Sequence, residues 1–140
     1  MEKVEQAVSS FKNGLNCSQA LLSAYSEKLG LDKETALKLA SCFGGGMGCA
    51  GETCGAITGA LMVIGLRHGK TGVRQDKAYS VVKEFVERFK ERNGASLCRE
   101  LLRCDISTDE GMKKAQKEGL FTSICPRLVK DAAEIVEGLL

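Results

Sequence analysis

Seven cysteines stand at positions 17, 42, 49, 54, 98, 104 and 125 of a 140-residue chain. A cysteine thiolate is a nucleophile, an electron donor and a soft metal ligand. Seven is odd, so a fully paired disulfide framework cannot form within one chain. No Cys-x-x-Cys is present, which removes the thioredoxin-type motif. Cys49 and Cys54 form a lone C-x4-C, one fragment of a plant-type ferredoxin signature whose other parts are missing. The paired ligand spacings of a zinc finger are also missing, and His68 is the single histidine. His68 could act as a general base for a thiol. Beside Arg67 and Lys70, a lone loop histidine is more often simply solvated.

Between Gly44 and Gly51 runs the one low-complexity stretch, GGGMGCAG. It contains a formal G-x-G-x-x-G at Gly46, Gly48 and Gly51. The segment before it, ALKLASCF, reads as helix and no β-α-β unit surrounds it, so the dinucleotide reading is rejected. A loop of this composition wraps closely around something, offering N–H groups to sulfur or an anion, or makes a tight turn into the buried helix, or simply links two helices.

The elements that must position these residues are helices. Proline occurs once, and no segment alternates apolar and polar residues with period two. The apolar spacing predicts helices over about Glu2–Lys12, Asn16–Leu29 and Asp32–Cys42, the last with Asp32 as N-cap. A fourth, from Thr53-Cys54 to about Leu66, is apolar all round and is therefore expected to be the buried centre. Gly55 and Gly59 within it need a packing reason, because glycine inside a helix costs roughly 1 kcal/mol relative to alanine. A fifth helix capped by Asp76 ends at Asn93-Gly94. A short sixth follows Ser96. A polar seventh starts at a Ser107–Glu110 capping box and ends near Gly119. The last carries Pro126 at its first position. The expected fold is all-α: one domain over 1–140, a multi-helix bundle around a buried central helix.

On this map Cys17, Cys54, Cys98 and Cys125 each sit at a predicted helix start. There, unpaired N–H groups and the helix dipole favour a thiolate. Cys42 and Cys104 fall near helix ends, where the field is opposite, and are read as inert packing. Cys49 lies in the glycine loop. Taken singly, any of these cysteines is more often core filler than a functional group.

Composition narrows the partners. With 20 Lys plus Arg against 18 Asp plus Glu, the net charge is +2, which gives no field for nucleic acid. The 44% hydrophobic and 27% charged fractions are those of an ordinary globular domain. The N-terminal MEKVEQAVSSFKNG has no apolar core of a signal peptide, and the longest apolar run, Ala56–Leu66, is too short to span a bilayer. The expectation is a cytoplasmic protein that is not inserted in a membrane. In that compartment a cysteine-rich chain points to metal or redox work. A homo-oligomer is compatible with the sequence, and the redox partner protein is not identifiable from it.

Cys54-Gly55-Ala56-Ile57-Thr58-Gly59 resembles the CGAxxG motif of small bacterial and archaeal redox-active proteins, the C_GCAxxG_C_C family. The surroundings agree: Asn16-Cys17-Ser18 before the first long helix, a Gly-rich loop leading into the motif, ALMVIGL after it, Cys98 after the long amphipathic helix and Cys125-Pro126 opening the last. The resemblance covers nearly the whole chain. It implies redox activity, in an oxidoreductase or electron-transfer protein, and places the family's four cysteines on Cys17, Cys54, Cys98 and Cys125. Cys42, Cys49 and Cys104 are extra. Related domains occur in some multihaem cytochromes, where an iron–sulfur centre is associated with the fold. Haem itself is not expected, since Cys-x-x-Cys-His is absent.

Three readings follow. The first is electron transfer through an iron–sulfur cluster ligated by Cys17, Cys54, Cys98 and Cys125, with Gly55 beside it and Cys49 as an additional candidate metal ligand. The second is thiol–disulfide chemistry without a cofactor, with Cys54 attacking and Cys17, Cys98 or Cys125 resolving. The third is a structural zinc or interaction module, disfavoured because a chain of this size should not need a staple.

Overall fold

The computed structural model describes residues 1–140, and its order is helical throughout, with no strand. The helices are α1 (Glu2–Lys12), α2 (Cys17–Tyr25), α3 (Lys33–Ala40), α4 (Gly55–His68), α5 (Asp76–Asn93), α6 (Cys98–Leu101), α7 (Asp109–Lys117) and α8 (Cys125–Leu139). The all-α, single-core bundle expected from apolar periodicity is the fold observed.

Helix α4 passes through the centre, as its apolar sequence requires. Residues Gly55 to Ala60, with Val63 and Ile64, are buried. Its last turn emerges into solvent and ends at His68, two residues beyond the expected stop. Helix α2 packs closely against α4. A Cβ on Gly59 would stand 2.7 Å from Leu21 Cβ and from the Ser18 carbonyl oxygen. That contact is the packing reason for a mid-helix glycine. Thr58 Oγ1 donates to the Gly55 carbonyl (3.1 Å) and pairs with the Ser18 hydroxyl (3.3 Å), so these two side-chain hydroxyls are satisfied. Phe85 and Phe89 of α5 and Leu128, Val129 and Val136 of α8 close the core from the other sides.

The local start signals act with some changes. Asn16 caps α2 in a full capping box. The Gln19 N–H donates to Asn16 Oδ1 (2.8 Å), and the Asn16 N–H donates to Gln19 Oε1 (3.1 Å). Asp32 accepts from the Thr35 N–H, as expected. Helix α3 stops at Ala40, and Ser41–Phe43 tighten into a 3-10 turn, so Cys42 is past the helix and exposed rather than packed. At α7 the cap is Thr108, which accepts from the Gly111 N–H. Ser107 instead donates to Asp105. Asp76 is inside α5, after Gln75, whose side chain ties the preceding loop to Lys70 and Gly72. His68 Nε2 pairs with the Leu139 carbonyl oxygen at 2.9 Å. It pins the end of α4 to the end of α8 and does not line the cysteine cavity. No helix is long and apolar enough to cross a membrane.

Candidate redox site

All four cysteines expected at helix starts are there. Cys17, Cys98 and Cys125 are the first residues of α2, α6 and α8, and Cys54 is the N-cap of α4. They are 8%, 8%, 5% and 3% exposed in that order. Together they line one cavity of about 730 Å³. Residues 17, 54, 98 and 125 are far apart in sequence, so it is the bundle that gathers them.

Two devices bring them together. The first is a short antiparallel pairing of Gly51–Cys54 with Ser96–Arg99. The Cys54 N–H donates to the Ser96 carbonyl (2.9 Å), the Cys98 N–H to the Glu52 carbonyl (2.6 Å) and the Arg99 N–H to the Gly51 carbonyl (3.2 Å). The Arg99 guanidinium adds bonds to the Gly51 carbonyl and to Glu52 Oε1. Cys54 and Cys98 are thereby held on neighbouring segments before either helix begins. The second device is removal of side-chain bulk. A Cβ on Gly55 would stand 3.1 Å from Cys17 Cβ, and one on Gly46 would stand 2.7 Å from Cys98 Cβ. At Gly46 an added Cβ would collide outright, and at Gly55 it would press Cys17 back by a few tenths of an ångström.

The glycine loop is a left-handed turn of backbone. Gly45, Gly46, Met47, Gly48 and Cys49 all have φ between 63° and 72°. For a residue with a Cβ this conformation is unfavourable by roughly 1–2 kcal/mol, which is why glycine dominates the stretch. Its bonds run from the Cys49 N–H to the Gly44 carbonyl, from Gly51 to Gly45 and from Glu52 to Gly46, at 3.0–3.1 Å. The N–H groups of Cys49, Gly51 and Glu52 are thus used within the loop rather than on a sulfur or an anion. The loop covers Cys98 and forms a wall of the cavity.

Electrostatics divides the four sulfurs. Cys17 directs its thiol proton at Cys125. That hydrogen bond holds Cys125 below the usual thiol range despite burial, and lifts Cys17 well above it, with burial adding to the rise. Cys54 is pushed up to about 11 because burial outweighs the N–H groups of Ala56 and Ile57 that favour its thiolate. Cys98 is pushed up to about 12, chiefly by burial and then by the neighbouring charges of Cys54 and Cys125. A helix start alone therefore does not make a thiolate here; desolvation wins at Cys54 and Cys98.

The rest of the wall is mostly apolar, including Phe11, Leu15, Leu101 and Phe121, with Lys12 its only charged residue. Of the extra cysteines, Cys104 is buried and donates its thiol proton to the Gly111 carbonyl (3.1 Å), a packing role as expected. Cys42 is exposed and away from the cavity. Cys49 is exposed and on the cavity wall. Sequence reasoning missed Arg99, whose partners are non-local, and the apolar walls, which only the assembled bundle defines.

No three Cys, His, Asp or Glu side chains meet closely enough to hold a single ion, so the geometry gives no support to a one-ion zinc site. A cluster separates its thiolate ligands by its own bulk. Four buried thiols from four elements around a cavity free of carboxylates are the donor chemistry of such a cluster, and ligation would draw the hydrogen-bonded Cys17 and Cys125 apart.

No curated protein and no solved structure matches the chain. A family model described as "Putative redox-active protein (C_GCAxxG_C_C)" matches residues 15–139, a span that contains every cysteine. With its cysteines gathered on one cavity and its sequence matched from α2 to α8, the chain belongs to the C_GCAxxG_C_C family of redox-active proteins.

Proposed function

We propose that this protein is an electron carrier whose Cys17, Cys54, Cys98 and Cys125 ligate an iron–sulfur cluster. The observation that carries the proposal is the gathering of four buried thiols on one carboxylate-free cavity. Each residue has a distinct task. Cys125 is the thiol of the four that a neighbour, Cys17, makes easier to ionise. Cys17, Cys54 and Cys98 are thiols at neutral pH, and ligation would displace their protons. The helix starts and the N–H groups at Ala56 and Ile57 offset the accumulated negative charge. Gly46 and Gly55 keep the backbone flush with Cys98 and Cys17. The cluster, when bound, would supply the electron storage; the protein supplies ligation, burial and exclusion of bulk water. Anaerobically purified protein is expected to show a broad visible absorption with matching iron and acid-labile sulfide. Colourless protein without either, after anaerobic reconstitution, overturns the proposal.

One observation favours a second reading, thiol–disulfide exchange. The hydrogen bond from Cys17 lowers Cys125 below an ordinary thiol and raises Cys17 above one, without any cofactor. In this reading the attacking thiolate is Cys125 rather than Cys54. It attacks an external disulfide and releases one thiolate. The Cys17 sulfur, losing its proton, then displaces the second and closes the Cys17–Cys125 disulfide. Thiol counting with peptide mapping after mild oxidation of iron-free protein tests this, and the absence of that disulfide removes it.

A further inference from the structure

Only part of the cavity wall is sulfur. At about 730 Å³ the cavity has the size of a small-molecule site, and such sites are mostly apolar with a few placed polar groups. The four cysteines of the proposed ligand set are its buried part. Phe11, Leu15, Leu101, Phe121 and Pro126 also line it and are only half-buried, so the wall nearer solvent is apolar surface left uncovered. Apart from the cysteines, the polar side chains on the wall are nearly all spent. Asn16 accepts from the Gln19 N–H (2.8 Å) and donates to the Ser41 carbonyl (3.1 Å). The Ser41 hydroxyl donates to the Lys38 carbonyl (2.7 Å), and the Thr122 hydroxyl to the Gly119 carbonyl (3.0 Å). Lys12 is different. It stands in the last turn of α1, where the helix dipole favours a cation, and it enters no ion pair. The wall therefore carries one unpaired cation and no carboxylate.

We infer that the outer part of this cavity is a binding site for an aromatic monocarboxylate, its ring against Phe11, Leu15 and Phe121 and its carboxylate on the Lys12 ammonium. Each part of the ligand answers a feature of the wall. A half-buried phenylalanine gains by covering its ring, and ring-on-ring contact adds to simple burial. A cation beside apolar walls attracts an anion more strongly than one in open water does. An amine would meet the unpaired ammonium and find no carboxylate to hold it. A phosphate dianion asks for several charged donors, whereas one cationic side chain matches a single carboxylate. The side chains that hold the ligand lie outside the sulfur set, so binding needs no cluster. The ligand's place as small-molecule partner of the electron carrier rests on the electron-carrier reading; its binding does not.

The test is calorimetric titration of 2-naphthoate, and of its uncharged counterpart 2-naphthamide, into the full-length, reduced, iron-free chain at neutral pH. The wild type is expected to bind one equivalent of 2-naphthoate with a Kd of about 1 mM or tighter, and 2-naphthamide at least fivefold more weakly. Lys12→Gln should remove that preference and Lys12→Arg should keep it. Phe121→Ala should weaken both probes at least threefold without changing their ratio, with Leu15→Ala as the second wall variant if circular dichroism shows the first unfolded. Lys130→Gln, in the neighbouring groove that Lys12 also borders, should change neither probe. Four results overturn the proposal: no saturable binding of 2-naphthoate, a preference for the acid that survives in Lys12→Gln, binding unchanged in a folded wall variant, or a loss in Lys130→Gln as large as in Lys12→Gln. Iron and acid-labile sulfide are measured on the same proteins after anaerobic reconstitution, and all are expected to retain both. A wild type that retains neither but binds 2-naphthoate as described overturns the electron-carrier reading and leaves the carboxylate site standing.

Discussion

Replacing Gly46 by alanine should damage the protein out of proportion to one methyl group. Gly46 has φ 72°, which charges any L-residue roughly 1–2 kcal/mol. The added Cβ would also stand 2.6 Å from the Glu52 nitrogen and 2.7 Å from both the Glu52 oxygen and Cys98 Cβ. Two of those neighbours are backbone and cannot rotate away. They belong to the bonds Glu52 N–H to Gly46 and Cys98 N–H to Glu52, so the clash falls on the pairing that aligns Cys54 with Cys98. Overpacking of a tight site adds about 1–3 kcal/mol. Together the loss is about 2–5 kcal/mol. With an unfolding entropy near 2.1 cal/mol/K per residue, 1 kcal/mol is worth roughly 3 °C for this chain, giving a fall in Tm of about 6–15 °C. The assay is thermal unfolding of reduced, iron-free protein followed by helical circular dichroism. Gly65→Ala is the control: its added Cβ meets nothing within 4 Å, and it lies in a helix. It should stabilise by up to about 1 kcal/mol. If Gly46→Ala melts within 3 °C of the wild type, the loop is not the tight cradle described.

The thiols also set a pH dependence. Cys54 has a folded pKa of about 11 against 9.0 unperturbed, so in this range the unfolded chain loses its proton first. The resulting stability is intact below pH 9 and falls by about 3 kcal/mol towards pH 11 in the reduced, iron-free protein. Denaturant titrations at pH 8 and pH 10.5 should show the fall and Cys54→Ala should reduce it; no difference between the two pH values contradicts the burial argument. Asn16→Ala removes the α2 capping box and the bond from Asn16 Nδ2 to the Ser41 carbonyl, and should cost about 1–2 kcal/mol in the same titration. Gly59→Leu forces α2 away from α4 and should unfold the protein or leave it without a cooperative melt, because the obstacle is the Ser18 carbonyl as well as a side chain. A sharp melt near the wild-type Tm would show that the two helices are not in contact there.

Much of this was legible in sequence for a physical reason. Helices announce themselves locally. The helix start at Asn16-Cys17 and the cap Asp32 act within a few residues, and the structure follows them. The starts of α2, α4, α6 and α8, each at a cysteine, were readable in the same way. Meeting of the four sulfurs is a long-range event, and only the family resemblance hinted at it. The left-handed loop was visible as glycine but not as geometry, since Met47 and Cys49 adopt a conformation their own preferences oppose. The helix-dipole argument selected four of the five cysteines that line the cavity yet overstated the thiolate at Cys54, because burial is invisible to a one-dimensional reading. Cys42 shows the converse: a helix that ended two residues early turned an expected core residue into an exposed one.

The account rests on Cys17, Cys54, Cys98 and Cys125 acting as one ligand set. The most direct measurement is the iron and acid-labile sulfide retained after anaerobic reconstitution and desalting, across the wild type and single Cys→Ser variants at 17, 42, 54, 98, 104 and 125. The account predicts matched iron and sulfide in the wild type, in Cys42→Ser and in Cys104→Ser, and loss of most of both in each of the other four. A wild type that retains neither, or retention that is indifferent to those four positions, would contradict it.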